Sequence, residues 1–192
     1  PCYGGKAEEV VSMLSSPALF TVKPKCFQPW PKQDHRGGEL VRMDSVLDPA
    51  SVRTKVREVR RDASDAARLE SARIVVAGGG GMKGVRGFEL AGRLADALSG
   101  AVAASRVACD LGWCPPSRQV GLSGKTVAPE LYIAIGISGA AQHIAGCANA
   151  KTIVAINIDP DAPIFRYSKY GIVGDCHQLM PALIDKIEAL RK

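Results

Sequence analysis

The sequence predicts an α/β fold in which a doubly wound parallel sheet, of Rossmann-like or flavodoxin-like type, is covered by helices on both faces. Two observations lead to this fold class. From residue 73 onward, short runs rich in valine, isoleucine and alanine alternate with segments whose apolar residues recur at helical spacing. Several runs end in glycine, serine or asparagine, as expected of parallel strands that hold a ligand at their carboxyl ends.

The predicted elements alternate along this part of the chain. The predicted strands are 73–77, 101–104, 131–136, 152–157 and 171–175, and the predicted helices are 88–99, 140–147 and 177–190. In the first helix Phe88, Ala91 and Leu94 fall on one face, so that this face is expected to pack on the sheet. A strand that is followed by a helix returns in the same direction, which favours parallel pairing.

The chain changes character near residue 62. We expect residues 1–61 to be the carboxy-terminal remnant of a preceding domain with a linker, and residues 62–192 to be the ligand-binding domain. Two short apolar stretches, 9–11 and 18–22, are interpreted as strands, and residues 51–72 have helix-compatible charge spacing. The prolines and charges between 23 and 39 disfavour a helix or a central strand there.

Composition excludes several function classes. The chain has 192 residues, a formal net charge of +6, three histidines and six cysteines without a C-x-x-C pair. We expect free thiols in a reducing compartment and no metal site. The basic residues before position 75 are interleaved with acids, which favours a solvated helix over a nucleic-acid surface. No apolar run is long enough to cross a membrane, and the start lacks the layout of a signal peptide.

Two of three glycine motifs match nucleotide-binding patterns incompletely. Residues 79–84, GGGMKG, satisfy the dinucleotide pattern G-x-G-x-x-G, but the next strand ends in Ser105 and Arg106 rather than in an acid. Residues 121–126, GLSGKT, resemble the end of a phosphate-binding P-loop, yet the required first glycine is Gln119. A nucleoside triphosphatase is therefore not expected.

The third motif, residues 136–146, GISGAAQHIAG, follows the most apolar predicted strand. Its glycines and serine permit a tight turn from strand to helix. A helix that begins near Ala140 would direct backbone N–H groups towards an anion. This motif is the best candidate for a phosphate or flavin site.

A long run places these motifs in a known context. Residues 104–175, ASRVACDLGWCPPSRQVGLSGKTVAPELYIAIGISGAAQHIAGCANAKTIVAINIDPDAPIFRYSKYGIVGD, closely resemble the FAD-binding domain of the electron-transfer flavoprotein alpha-subunit family. The resemblance extends more loosely from residue 62 to the end, and residues 1–61 resemble the tail of that subunit's first domain, as in an amino-terminally truncated chain.

The resemblance implies an FAD-binding electron carrier with no substrate chemistry of its own. Its implied partners are a beta subunit in a heterodimer, acyl-CoA dehydrogenases of fatty acid beta-oxidation and related dehydrogenases, and electron-transfer flavoprotein-ubiquinone oxidoreductase. The implied compartment is the mitochondrial matrix, or the cytoplasm of a bacterium, without nucleic acid and without membrane insertion.

The resemblance also implies a set of FAD neighbours. Arg106 matches a cation over the isoalloxazine ring, Ser123 a hydroxyl near flavin N5, and His143 a donor near the C2 carbonyl. Asn157, Asp175 and Cys176 match contacts to the adenosine part. The full implied set is Gly80, Ser105, Arg106, Val120, Gly121, Leu122, Ser123, Ser138, Gly139, Ala140, Ala141, Gln142, His143, Asn157, Asp175 and Cys176.

One departure from the family is informative. Where the family carries Gly-Gly-Arg-Gly this chain has four glycines, 78–81, so that Gly80 replaces an arginine expected to reach FAD. The family's Ser-Gly-Glu-Asn is replaced by residues 84–87, which include Arg86. We hypothesise that Arg86 or Lys83 partly compensates for the lost cation; the alternative is weaker retention of FAD.

Two other functions remain open at this stage. One is a nicotinamide-dependent dehydrogenase that uses residues 79–84. The other is a non-redox module that binds an adenine nucleotide through Asn157 and Asp175.

Overall fold

The computed structural model describes residues 7–22, 27, 30–32, 37–44, 48–58 and 66–191. Its centre is a five-stranded parallel sheet in the order β2-β1-β3-β4-β5. The strands are β1 (Ile74–Gly78), β2 (Ala101–Ala104), β3 (Leu131–Ile135), β4 (Thr152–Asn157) and β5 (Tyr170–Val173). The predicted α/β fold class and the parallel sheet are confirmed.

Among the described residues, five α-helices connect and cover the strands. They are α1 (Ala66–Ser71), α2 (Val85–Ala97), α3 (Arg106–Asp110), α4 (Ala141–Cys147) and α5 (Cys176–Leu190), and short 3-10 turns lie at Gly80–Met82, Pro116–Arg118 and Pro163–Tyr167. The last strand ends at Val173 rather than at Asp175, because Asp175 caps the following helix by accepting a hydrogen bond from the His177 N–H.

Both faces of the central strands β1 and β3 are buried, which explains their continuous apolar runs, whereas the edge strand β5 is exposed. On one face Val76 and Ile133 pack with residues of α2 and α5, including Leu94 and Met180. On the other face Val75 and Tyr132 pack with Leu69 of α1 and Ile144 of α4. Successive residues of each central strand thus alternate between two apolar clusters.

The described residues before position 59 do not form the elements predicted there. Residues 8–22 contain no strand, and 52–58 contain no helix; the helix expected over 51–72 is confined, among described residues, to Ala66–Ser71. Val10 is 99% exposed and Leu14 is 98% exposed, so these apolar side chains have no surface to pack on. Charge spacing without a buried apolar face does not hold a helix. The division of the chain at residue 62 stays a prediction.

The strand order creates one crevice. β1 lies between β2 and β3, and β3 is the central strand of the order. The chain passes from β1 to β2 on one side and from β3 to β4 on the other, so it leaves these two adjacent strands towards opposite edges of the sheet. In open parallel sheets of this order, ligands bind beyond the carboxyl ends of the strands at that point. The loops after β1 and β3 touch there, because the N–H of Gly79 donates to Ile135 O at 2.9 Å and that of Gly81 to Gly136 O at 3.0 Å.

Candidate functional site

A cavity of about 670 Å³ opens at the carboxyl edge of the sheet. Its walls come from the loops after β1, β2, β3 and β4, together with the segment 119–123 and the start of α4. Most of the residues predicted from the sequence line it: Gly80, Ser105, Arg106, Val120, Gly121, Leu122, Ser123, Ser138, Ala140, Gln142, His143 and Asn157. The fold therefore brings residues from four separate loops to one place.

The other predicted residues lie just outside this cavity. Gly139 has a φ of 87° and packs against the backbone of Ile164, where a Cβ would lie 2.3 Å from the Ile164 nitrogen. Ala141 begins α4. Asp175 and Cys176 line a second cavity of about 40 Å³. Asn157 lines both cavities, so the two lie side by side along the sheet edge.

The glycines after β1 are explained largely by packing. A Cβ on Gly79 would lie 2.3 Å from the carbonyl oxygen of Gly136, and one on Gly81 would lie 2.7 Å from the Gly136 Cα. Gly80 differs, because the nearest atom to its Cβ position is Val107 Cγ1 at 3.6 Å. Gly80 thus lies in the cavity wall with room for a side chain.

The segment with the Gly-Lys-Thr sequence packs on α4 and does not form a phosphate loop. The Leu122 N–H donates to Gln142 O at 2.7 Å, and Gly121, with a φ of 145°, allows this close approach. Lys125 forms an ion pair with Glu70 of α1, with Nζ 2.7 Å from Oε1, and does not line the cavity. The exclusion of a P-loop is consistent with this geometry.

Ser105 and Arg106 follow β2 directly. The Ser105 N–H donates to Gly78 O at 2.9 Å, which holds this residue next to the end of β1. The Ser105 hydroxyl is buried and has no hydrogen-bond partner. Arg106 has a 72% exposed side chain and only a 3.3 Å contact from Nε to the Asp110 carboxylate. Its charge is therefore available at the cavity wall.

Asn157 is held by backbone groups. Its Nδ2 donates to Ile137 O at 2.9 Å, and its Oδ1 accepts from the Asp159 N–H at 3.0 Å. These bonds fix the turns after β3 and β4, so that much of the side-chain amide serves the fold. One N–H of the amide remains for a ligand.

His143 is the buried titratable group of the cavity wall. The residue is 7% exposed, and its Nε2 lies 2.9 Å from the hydroxyl oxygen of Tyr132 on β3. Its Nδ1 is buried and makes no close hydrogen bond to a residue that the structure describes, although the Val120 backbone lies near the ring. Burial lowers the pKa of His143 to about 4, against a smaller opposing contribution from the Val120 backbone. The ring is therefore neutral at neutral pH.

The cavity fits the dinucleotide that the sequence predicts. Its volume lies within the range of about 300–1,000 Å³ that is usual for ligand pockets. Two of its wall residues, Ser105 and His143, carry a buried polar atom to which no described residue makes a close hydrogen bond. Unpaired buried polar atoms are costly, and a polar ligand supplies the missing partners.

Asp175, Cys176 and His177 bring a carboxylate, a thiol and an imidazole within 4.8 Å of one another. Protein groups already use two of them, since Asp175 Oδ1 accepts from the His177 N–H at 2.9 Å and Cys176 Sγ donates to Gly81 O at 3.7 Å. Burial raises the pKa of Cys176, which disfavours the thiolate that a soft metal requires. The arrangement is that of a helix cap.

Two further observations concern the thiols and the lengths of the helices. The cysteines within the described ranges, Cys109, Cys114, Cys147 and Cys176, are buried and form no disulfide with one another; Cys2 and Cys26 lie outside those ranges. In the part of the chain that the structure describes, no helix has the length and apolar character needed to traverse a membrane.

Sequence reasoning missed several wall residues and one buried partner. The missed wall residues are Gly81, Val107, Gln119, Gly136, Ile137, Asp159, Ala162 and Pro163. Most are neighbours of predicted residues in the same loops. Tyr132 was also missed, although a tyrosine inside a fully buried strand signals that its hydroxyl needs a partner.

Comparisons with known proteins agree with this geometry. Residues 68–148 match the family described as the electron transfer flavoprotein FAD-binding domain. The electron transfer flavoprotein subunit alpha of Thermoanaerobacterium thermosaccharolyticum is 43% identical over 192 residues, which is 100% of this chain and 58% of the relative.

Two further relatives show the same pattern. The electron transfer flavoprotein subunit alpha of Bacillus subtilis is 45% identical over 192 residues, 99% of this chain and 58% of the relative. The mitochondrial subunit of Arabidopsis thaliana is 41% identical over 194 residues, 97% of this chain and 53% of the relative. The chain thus spans less than two thirds of the length of these relatives.

Proposed function

Since the chain belongs to the electron transfer flavoprotein alpha-subunit family and its cofactor is FAD, we propose that it holds FAD in the cavity between the ends of β1 and β3. In this proposal the chain acts as an electron carrier within a heterodimer with a beta subunit. It makes and breaks no substrate bond.

One observation carries the proposal. The 670 Å³ cavity lies at the position where the strand order predicts a ligand, and its wall combines a permanent cation, unpaired buried polar atoms and closely packed glycine loops. A cavity of this kind suits a ligand that is part aromatic and part polar.

When bound, FAD supplies a ring that takes up and releases electrons singly or in pairs. Arg106 favours negative charge on a group held beside it, because its guanidinium stays protonated at any physiological pH. A unit charge at 4 Å contributes about 1–4 kcal/mol between water and a protein surface. The exposure of Arg106 places its contribution towards the lower figure.

The other wall residues bind and orient. His143 stays neutral and lines the cavity, and its ring is held from behind by the Tyr132 hydroxyl. The Ser105 hydroxyl has a free hydrogen to donate, and Ser123, whose Oγ accepts from Gln119 Nε2 at 3.0 Å, keeps its own hydroxyl hydrogen for a ligand. Asn157, Asp175 and Cys176 would hold the adenosine part along the sheet edge.

The partners follow from the family. We place acyl-CoA and related dehydrogenases as electron donors and a membrane quinone oxidoreductase as acceptor. The relatives include bacterial and mitochondrial subunits, so the mitochondrial matrix and a bacterial cytoplasm are both consistent with them.

The deciding experiment is reconstitution of the chain with excess FAD, followed by removal of free ligand and a visible spectrum. We expect flavin bands that shift on binding, whereas tight NADH binding without flavin would support a dehydrogenase, and binding of AMP alone would support a non-redox module. Either of the latter results would overturn the proposal. The matched variants are His143→Gln, which alters the cavity wall, and His177→Gln, which lies outside it; only the first is expected to weaken FAD binding.

A further inference from the structure

The two edge strands of the sheet differ in how well they are covered. In β2 every residue is partly or fully buried, and the Val120 N–H donates to Ala104 O at 2.9 Å, so a segment of this chain pairs with its outer edge. In β5 all four residues, Tyr170–Val173, are exposed. Within the described ranges no strand pairs with the outer edge of β5. The N–H and C=O groups along that edge are therefore free to pair with another chain.

Apolar side chains surround the outer edge of β5. Parallel strands are normally covered on both faces, but the connection from β4 to β5 is a short 3-10 turn rather than a longer helix. Large apolar side chains on and beside β5 are between 40% and 65% exposed, and we call them the edge patch: Ile158, Tyr167, Tyr170, Ile172 and Val173. Exposed apolar side chains grouped along a strand edge mark a site of association.

A second copy of β5 is complementary to this edge. The Lys169 N–H donates to Ile153 O on β4 at 2.8 Å, towards the interior of the sheet. Alternate residues of a strand direct their backbone groups to opposite sides, so those of Tyr170 and Ile172 point outwards. Two identical strands related by a two-fold axis are antiparallel, and with the axis at Gly171 each Tyr170 lies opposite the Ile172 of the other copy. Pairs of an aromatic and a β-branched side chain stabilise antiparallel strands.

Charge favours the same register. Lys169 of one copy lies opposite Val173 of the other, and Asp175 follows two residues later. Such diagonal neighbours are within reach of a long side chain. The Lys169 Nζ lies 5.7 Å from the centroid of the Tyr170 ring and forms no ion pair with a described residue, and Asp175 uses only Oδ1 to cap α5. The pairing therefore brings a cation and an anion together at both ends of the contact.

We propose that two copies of the chain associate through the outer edges of their β5 strands, which pair antiparallel and join the two sheets into one. The contact consists of two short strands and the edge patches beside them, so the association is weak and depends on concentration. The inference goes beyond the proposed function and does not depend on FAD, because the edge patch lies outside the 670 Å³ cavity.

The first test measures the mass of the full chain in solution without FAD. In sedimentation velocity over about 2–200 µM, we expect the mean mass to rise from 20.3 kDa towards twice that value, with a dissociation constant on the order of 10 µM. A mass of 20.3 kDa at every concentration would overturn the proposal.

The second test places a charge in the edge patch. Ile172→Lys sets a cation opposite Tyr170 of the other copy, and Leu190→Lys is the matched control because Leu190 is 77% exposed at the end of α5. We expect the association to weaken at least about tenfold in Ile172→Lys and to stay unchanged in Leu190→Lys. Equal association of the two variants would contradict the assignment to this edge.

The third test needs no substitution and therefore applies even if Ile172→Lys does not fold. Amide hydrogen exchange of the unmodified chain, measured by NMR at low and high concentration, reports which backbone groups become paired. We expect the amides of Tyr170 and Ile172 to exchange at least about tenfold more slowly at high concentration, while the amides of α3 are unchanged. Association without slower exchange at these two amides would place the contact on another surface and refute the pairing of β5.

The same measurement distinguishes a second copy from a beta subunit as the occupant of the edge. If the isolated chain remains monomeric and the amides of Tyr170 and Ile172 are protected only in a complex with a co-expressed beta subunit, the edge belongs to the heterodimer and the proposal is wrong. Protection in the isolated chain supports the pairing of two copies. Both results are obtained without FAD, so neither is affected by failure of the proposed cofactor site.

Discussion

The two loops that meet at the crevice, residues 79–84 after β1 and residues 136–140 after β3, are both rich in glycine, yet they have different tasks. In the first loop Gly79 and Gly81 lie so close to Gly136 that a methyl group would overlap its backbone. The second loop leads to Gln142 and His143, whose side chains line the cavity. A glycine-rich sequence thus indicates close backbone approach, and the ligand is identified by the side chains beside it.

This difference accounts for the formal dinucleotide pattern at residues 79–84. The helix that follows begins only at Val85, after a 3-10 turn, and the residue after β2 is Ser105 rather than an acid. Gly79 and Gly81 pack against Gly136, and Gly84 has a φ of 131°, a backbone conformation that favours glycine. The pattern therefore gives no separate support for a nicotinamide cofactor.

The largest expected effect is on stability, and it distinguishes a glycine of the first loop that is required for packing from one that only lines the cavity. In Gly79→Ala the new methyl group would lie 2.3 Å from the Gly136 carbonyl oxygen, so we expect a loss of more than about 3 kcal/mol in the free energy of unfolding. In Gly80→Ala the nearest atom is 3.6 Å away, and we expect a change within about 0.5 kcal/mol. Urea unfolding of both variants measures this contrast; similar losses in both would contradict it.

The second-largest expected effect is a pH dependence of stability that arises from His143, which follows the second loop. Burial holds the pKa of His143 at about 4, below its ordinary 6.5, so the unfolded chain binds a proton in this interval before the folded chain does. The contribution of His143 is complete above pH 6.5 and falls as the pH is lowered towards 4. At about 1.4 kcal/mol per pKa unit, roughly 2 kcal/mol is lost by pH 5.

Urea unfolding at pH 7.5 and pH 5 tests this dependence. The His143→Gln variant carries no titrating group at this position and should show a smaller loss over the same interval, while the loss due to other groups remains. An equal pH dependence in both proteins would show that His143 is not the group responsible.

The third expected effect is on FAD affinity, when a substitution places a cation in the first loop. Gly80 lines the cavity and has space for a side chain, so we expect Gly80→Arg to bind FAD about tenfold more tightly, as for one charge-assisted hydrogen bond. Gly80→Ala is the control for the loss of glycine itself and should leave the affinity unchanged. Equal affinities of the two variants, measured by flavin fluorescence, would mean that the first loop makes no ionic contact with FAD.

The smallest effect concerns the two cations that were considered as compensation. Lys83 lines the small cavity with Asp175 and Cys176, whereas Arg86 lines neither cavity. Both side chains are exposed and screened by salt. We expect Lys83→Ala to weaken FAD binding about two- to threefold at low salt, and Arg86→Ala to have no effect. A loss in Arg86→Ala of the same size would reverse this assignment.

The sequence predicted the central sheet well because burial on both faces leaves a local signal. Ala101–Ala104 and Thr152–Asn157 were predicted with their exact bounds, since their apolar runs end where polar loop residues begin. The helix predicted over 51–72 does not include residues 52–58, for the opposite reason. The charges there have helical spacing, but no apolar stripe anchors them to the sheet.

The sequence predicted which residues line the cavity better than it predicted the contacts that these residues and their neighbours make. The resemblance placed Ser105, Arg106 and His143 together, and the sheet order explains why distant loops meet. It gave no indication that Lys125 pairs with Glu70, nor that Tyr132 lies behind His143, because both contacts depend on how helices pack across the sheet. Tertiary contacts between elements are not encoded in the spacing of either partner.

The order β2-β1-β3-β4-β5 has a consequence for how such a protein changes over time. The cavity arises because the backbone leaves the adjacent strands β1 and β3 in opposite directions. Substitution of a side chain in its wall therefore changes which ligand binds and with what affinity. The presence of the cavity depends on the path of the backbone, not on those side chains. A change of the residue at position 80 can therefore alter the lining of the cavity and leave the cavity itself in place.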